Sequence, residues 1–148
     1  MNKRIFAAMA VAGLLFAGCS SNSSSSTASS AAAGETSNTA YVATDDGSEI
    51  SATVTKKDGK VTAIQIDQTT EDGSSKKELG ADYNMKSASG IGKEWNEQIE
   101  YLENYMVENG IDSVKLNSDG YAENEDVKSG CTINLKQIME AVDEANAK

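Results

Sequence analysis

Asp126-Val127-Lys128-Ser129-Gly130-Cys131-Thr132 places two hydroxyls, a thiol, a carboxylate and a glycine just ahead of an apolar-periodic segment. Thr132 falls two residues before Asn134, the expected N-cap of a final helix. A helix N-terminus offers unpaired N–H groups and the positive end of the macrodipole, which together favour a phosphate. A threonine hydroxyl displayed beside such a phosphate is suited to forming a phosphoester. Gly130 lets the backbone approach closely or turn sharply, and Ser129 adds a further hydrogen bond to a phosphate or to the turn. Asp126 repels phosphate, so its carboxylate suits ordering the loop or positioning a metal while an ester forms. On residue type alone, simple capping is the more frequent use of Ser-Gly-x-Thr before a helix.

The chain contains no histidine. Ser-His-Asp and Cys-His catalysis are therefore excluded, as are His-ligated haem and His-containing zinc sites. A hydrolase would need a Ser–Lys or paired-carboxylate centre instead. The two cysteines are Cys19 and Cys131. Once Cys19 is committed elsewhere, Cys131 has no intrachain partner, and a lone buried thiol is usually inert.

The elements that must position these residues follow from pattern. Asp46-Gly47, Asp58-Gly59 and Asp72-Gly73 are hairpin signals, because both central residues of such a turn need positive φ. Tyr41 to Thr44 precedes the first pair, and Glu49 to Lys56 and Lys60 to Thr69 lie between the pairs. Ile50, Ala52 and Val54 share one face of the second run. Thr62, Ile64 and Ile66 share one face of the third, with Val61 and Ala63 opposite. The pattern predicts a three-stranded antiparallel meander packed on one side.

A helix is predicted from Ile91 to Glu108, because Ile91, Trp95, Ile99, Leu102 and Met106 recur on a 3.6-residue period. Lys93, Glu97, Glu100 and Glu103 then face water, and Asn109-Gly110 ends the helix. Tyr101 and Tyr105 fall beside the stripe and are expected to be half-buried. A short strand is expected at Asp112 to Leu116, then a turn at Asn117 to Gly120. The last helix runs from Leu135 to Ala145, with Asn134 as N-cap and Gln137 in capping-box position. The fold class is α+β: a small antiparallel β-meander packed with two main helices in a single domain, residues 40–148.

The opening Met1-Asn2-Lys3-Arg4, the apolar run Ile5 to Ala17 and the small residues before Cys19 read as a signal peptide, residues 1–18. The run is shorter than the ~20 residues a membrane span needs. Leu15-Phe16-Ala17-Gly18-Cys19 resembles a bacterial lipoprotein signal, which implies cleavage before Cys19 and lipidation of its thiol. Residues 19–39, rich in Ser, Ala and Thr, read as a flexible tether. The expected location is extracytoplasmic, anchored to the cell membrane by Cys19.

Cleavage removes Lys3 and Arg4 and no acid. The 13 basic residues fall to 11 against 23 acidic, a net charge of −12. That argues against nucleic acid and against resting on anionic lipid. A monomer held off the surface by its tether is expected. A two-lobed solute receptor would need a longer chain.

Two segments carry a family resemblance. One is Leu79-Gly80-Ala81-Asp82-Tyr83-Asn84-Met85-Lys86 continuing into Ile91-Gly92-Lys93-Glu94-Trp95, and the other is the heptapeptide. From Glu49 to Lys148 the chain resembles the small FMN-binding domains of exported bacterial lipoproteins and of ion-pumping NADH:quinone reductase subunits. Their signature is Asp-x-x-Ser/Thr-Gly-Ala-Thr.

The resemblance implies FMN joined through its phosphate to Thr132, with Asp126, Ser129, Gly130 and Cys131 forming the loop that a flavin transferase recognises. It implies an electron carrier rather than a catalyst. A membrane NADH dehydrogenase or quinol-linked protein would be the donor, and an external acceptor or reductase the recipient. Tyr83 and Met85 would lie against the isoalloxazine ring, and Lys86 would stabilise the charge of reduced flavin. Equally, Tyr83 and Met85 read as core residues and Lys86 as a solvated one. Trp95 fits the core stripe.

Two positions depart from the pattern. Cys131 stands where alanine is usual, and Asn134 where some members have Ser or Thr. Cysteine is small enough to replace alanine, but the change leaves covalent and non-covalent FMN both open. The alternative function is a flavin-free or non-covalent FMN-binding module that serves as a partner-binding lipoprotein.

Overall fold

The computed structural model describes residues 34–148. The expected signal peptide, Cys19 and the tether as far as residue 33 lie outside the described residues. Three strands, β1 (Glu35–Ala43), β2 (Glu49–Lys57) and β3 (Lys60–Gln68), form an antiparallel sheet in the order β1-β2-β3. Four helices complete the α+β fold: α1 (Lys76–Leu79), α2 (Trp95–Asn109), α3 (Glu125–Gly130) and α4 (Lys136–Ala147). No helix among the described residues is long and apolar enough to cross a membrane.

Alternation fixes the register. Ala40 pairs with Ala52, which pairs with Ile66; Val54 pairs with Ile64. All five side chains are buried on the same face, as a half-covered sheet requires. Asp58 and Gly59 both have positive φ, 52° and 78°, and close the tight β2–β3 turn, as their pairing foretold.

The other two Asp-Gly pairs sit in longer loops of one design, Thr44 to Ser48 and Thr70 to Ser74. In each, the threonine N–H donates to the serine carbonyl, at 2.9 and 2.8 Å, and the glycine N–H donates to the threonine carbonyl. The central aspartate accepts from the threonine hydroxyl and the serine N–H. Those donors favour the ionised form. The hydroxyls of Thr44 and Ser48 hold the Asp46 carboxyl at about 2, and Asp72 is likewise lowered by Thr70 and Ser74. The second loop joins β3 to α1 rather than two strands.

α4 lies across β1 and β2, and α2 lies along β3. Ile99, Leu102 and Met106 of α2 and Ile138, Val142 and Ala145 of α4 are all buried in one core against the sheet. The free edge of β3 is closed by a charge. Ile66 N–H donates to Glu103 Oε1 at 2.6 Å, and Lys77 Nζ lies 2.6 Å from the same oxygen. Covering an edge in this way removes a template for strand addition. Glu103 was expected to face water but is buried, because this N–H and ammonium offset its desolvation.

Other expectations are corrected. β1 begins at Glu35, so the last residues assigned to the tether belong to the sheet; there Ser37 and Thr39 hydroxyls pair with those of Thr55 and Thr53, at 2.8 and 2.7 Å. The helix predicted from Ile91 begins at Trp95. Glu94 and Glu97 form a capping box that ends the preceding turn. The strand predicted over Asp112 to Leu116 is a 3-10 turn at Ile111–Ser113 and a lone bridge between Leu116 and Ala122. Buried Ile111 and Val114 are three residues apart, the spacing of a 3-10 helix. α4 begins at Lys136, one residue later than expected, but Asn134 Oδ1 accepts its N–H at 3.1 Å.

Candidate functional site

The heptapeptide is not a loop. Glu125 to Gly130 form α3, with Asn124 as N-cap and Glu125 and Asp126 in its first turn, where acids complement the dipole. Val127 anchors α3 in the core, fully buried, while Asp126 and Ser129 are exposed. The expected recognition loop is thus the short helix α3 followed by extended Cys131 and then Thr132. α3 buries only Val127 and Gly130, too few positions to leave a periodic signal.

Tyr101 of α2 holds α3 in place. Its hydroxyl donates to the Asp126 carbonyl at 2.7 Å and lies 3.2 Å from Ser129 Oγ. Ser129 Oγ donates to the same carbonyl at 2.7 Å. The ring packs on Gly130 so closely that a Cβ there would lie 2.2 Å from Tyr101 Cδ1. Gly130 therefore serves close approach rather than a turn. Lys93 Nζ stands 5.1 Å from the centroid of the same ring.

Cys131 is fully buried, and its N–H donates to the Val127 carbonyl at 2.8 Å. Burial pushes its thiol up to about 11, because a thiolate would lose its hydration. The thiol is therefore protonated and inert at neutral pH.

Thr132 is exposed, yet it is tied to the interior. Its N–H donates to Gln98 Oε1 at 2.8 Å, and its Oγ1 donates to the same oxygen at 3.3 Å. Gln98 is fully buried. Its Nε2 donates to Ser89 Oγ at 3.1 Å and to the Lys93 carbonyl at 3.2 Å. One amide thereby ties the segment before α2 to the segment after α3. Gln98 was missed in the sequence. The signal was a polar residue on the apolar stripe, three after Trp95 and four before Leu102. Ile133, Asn134 and Leu135 separate Thr132 from the start of α4, so the hydroxyl does not sit on the helix N-terminus itself.

The residues that follow Thr132, Ile133 and Asn134, line a groove of about 260 Å³. Tyr83, Met85 and Trp95 form one wall, and Ile133, Asn134 and Ile138 another. Met85 N–H donates to Glu94 Oε2 at 2.8 Å, which fixes the Tyr83–Met85 segment to the head of α2. The structure thus brings Tyr83 and Met85 together with the residues that follow Thr132. Lys86 is exposed and does not line the groove. Trp95 is 3% exposed, so it is core, as expected, and groove wall at once.

No protein-family model matches the chain, and no curated protein matches it. Among solved structures, a solution NMR structure of a structural-genomics target from Clostridium thermocellum is similar at 23% identity, with a TM-score of 0.49, covering 74% of this chain and 86% of that one.

Lys76 also lines the groove, although the sequence did not single it out. Its Nζ lies 5.2 Å from the Tyr83 ring centroid and 5.9 Å from that of Trp95. Its location follows from α1, which is capped by Ser75, whose Oγ accepts the Glu78 N–H at 3.0 Å. Ser75-Lys76-Lys77-Glu78 is a capping-box pattern that could have marked this short helix. Among the described residues, no group of three or more His, Cys, Asp or Glu could hold a metal ion.

Proposed function

We propose that this protein is a membrane-tethered, extracytoplasmic carrier of FMN joined to Thr132, passing electrons from a membrane dehydrogenase or quinone-linked donor to an external acceptor or reductase. One observation carries the reading. An exposed threonine, held by a buried amide, is followed in the chain by Ile133 and Asn134, which line a groove shared with Tyr83, Met85 and Trp95.

The residues present fit the group. Thr132 would take the phosphate in ester linkage, while its N–H keeps the bond to Gln98 that fixes its direction. Tyr83 and Met85 supply flat and polarizable surface for an aromatic ring. The groove is slightly smaller than the ~300 Å³ at which small-ligand pockets usually begin. A ring there would keep an edge open to solvent or partner, as electron transfer needs. FMN supplies the redox couple when bound. The chain's own part is to hold, orient and partly shield it. Cys131 fills the alanine position as a buried, protonated side chain, which supports ordinary packing there.

The test is intact-mass spectrometry of the tether-free domain co-expressed with an exported flavin transferase. A gain of one FMN less one water, mapped to the Thr132 peptide, is the expected result. An unmodified mass with no flavin bound in titration would refute the proposal.

A further inference from the structure

The groove differs in charge from the rest of the molecule. Acidic residues outnumber basic ones 23 to 13 in the chain. The groove lining nonetheless contains no carboxylate and one cation, Lys76. That ammonium lies against two aromatic faces, Tyr83 and Trp95, and it forms no ion pair among the described residues. Its neighbour Lys77 is committed to Glu103 at 2.6 Å. The ion pair of Lys77 pins α1 to α2, so Lys76 is held over the groove by the backbone it shares. Around it the groove presents three neutral amides: Gln137; Gln68, whose Nε2 already donates to Ser48 Oγ at 3.0 Å; and Asn134, whose two ends bond to the Asp119 carbonyl and the Lys136 N–H.

Asp46 is near enough to feel the charge of Lys76, but no carboxylate lines the groove; a cation beside aromatic walls there favours a planar ring that carries negative charge along one edge. We infer that Lys76 is the cation that meets the bound ring, and that the groove prefers the reduced, anionic state of a flavin over the oxidised, neutral one. This rests on the function proposed above and deepens it. It moves to Lys76 the role that the sequence had offered to Lys86. By linkage, tighter binding of the reduced ring raises its reduction potential.

The test uses flavin-free protein and free riboflavin, which lacks the phosphate and so isolates the ring. Trp95 is the single tryptophan of the chain and lines the groove, so quenching of its fluorescence reports occupancy. Oxidised and dithionite-reduced riboflavin are titrated anaerobically at mildly alkaline pH, where the reduced ring is anionic. Wild type is expected to bind the reduced form on the order of tenfold more tightly. Lys76→Met should abolish that preference, Lys76→Arg should retain it, and Lys86→Met should leave it as in wild type. Binding of both forms with the same ratio in wild type and Lys76→Met overturns the role of Lys76 while leaving the flavin site standing. Failure of both forms to quench Trp95 in wild type overturns the groove as the ring's site and the role of Lys76 with it, while the mass of the Thr132 peptide decides the attachment separately.

Discussion

Gln98 and Thr132, 34 positions apart, meet through one carbonyl oxygen: Gln98 Oε1 accepts both the N–H and the hydroxyl of Thr132. The acceptor is buried and the hydroxyl is exposed, so the interior dictates the direction of a surface group. Nothing else in the heptapeptide fixes Thr132 in this way, since Asp126 and Ser129 bond to Tyr101 or to each other.

Gln98→Ala should therefore act twice. It leaves the Thr132 N–H without its acceptor and opens a void in the core. Both effects destabilise, by about 2–4 kcal/mol together. Urea unfolding would measure the loss, and faster amide exchange at Thr132 would place it. Flavin loading by the transferase should fall in the same variant.

Thr132→Ala should leave the fold nearly intact, within about 0.5–1 kcal/mol, because the side chain is exposed and makes one long hydrogen bond. Covalent flavin should vanish. Flavin on the mutant, by mass, would exclude Thr132 as the attachment point.

Gly130→Ala drives a methyl into the Tyr101 ring. We expect a loss of about 1–3 kcal/mol. Tyr101→Ala should cost stability by itself, but the double variant should lose less than the sum of the two. A double-mutant cycle by thermal or urea melts gives that coupling.

Cys131 adds a pH dependence. Its folded thiol titrates near about 11, above the ~8.5 of an unfolded cysteine. The native state therefore holds its proton more tightly. The contribution is complete below about pH 8.5 and is lost as pH rises through about 11. Between those limits the urea midpoint of wild type should fall more steeply than that of Cys131→Ala. A native thiol that reacted quickly with iodoacetamide at neutral pH would contradict this burial.

Much of the fold was legible because its signals are periodic. Ile50, Ala52 and Val54 alternate, and Trp95, Ile99, Leu102 and Met106 keep the helical period, so sheet and main helices follow directly. Asp58-Gly59 read correctly because both residues need positive φ. Asp72-Gly73 closes a loop of the same design as Thr44 to Ser48, but it is followed by α1 rather than a strand, so only a single Thr69–Ser75 bridge forms across it.

The short helices α1 and α3 bury too little to show periodicity, and the buried role of Glu103 depends on an N–H and an ammonium from distant segments. Tyr83 and Met85 were found from local resemblance. Lys76 and Gln98 were not, since each acquires its meaning from residues brought near it only by folding.

The Gln98 contact has a temporal consequence. An unfolded chain would carry the same seven residues from Asp126 to Thr132. It would lack the helical turn of α3, and also the Tyr101 clamp and the inward hold on Thr132, both of which come from α2. A modifying enzyme that recognises this shape would act on a finished domain and pass over a nascent one. Folding after export and attachment of the cofactor would then be ordered in time by the geometry of the substrate, and a cofactor on Thr132 would certify a correctly folded protein.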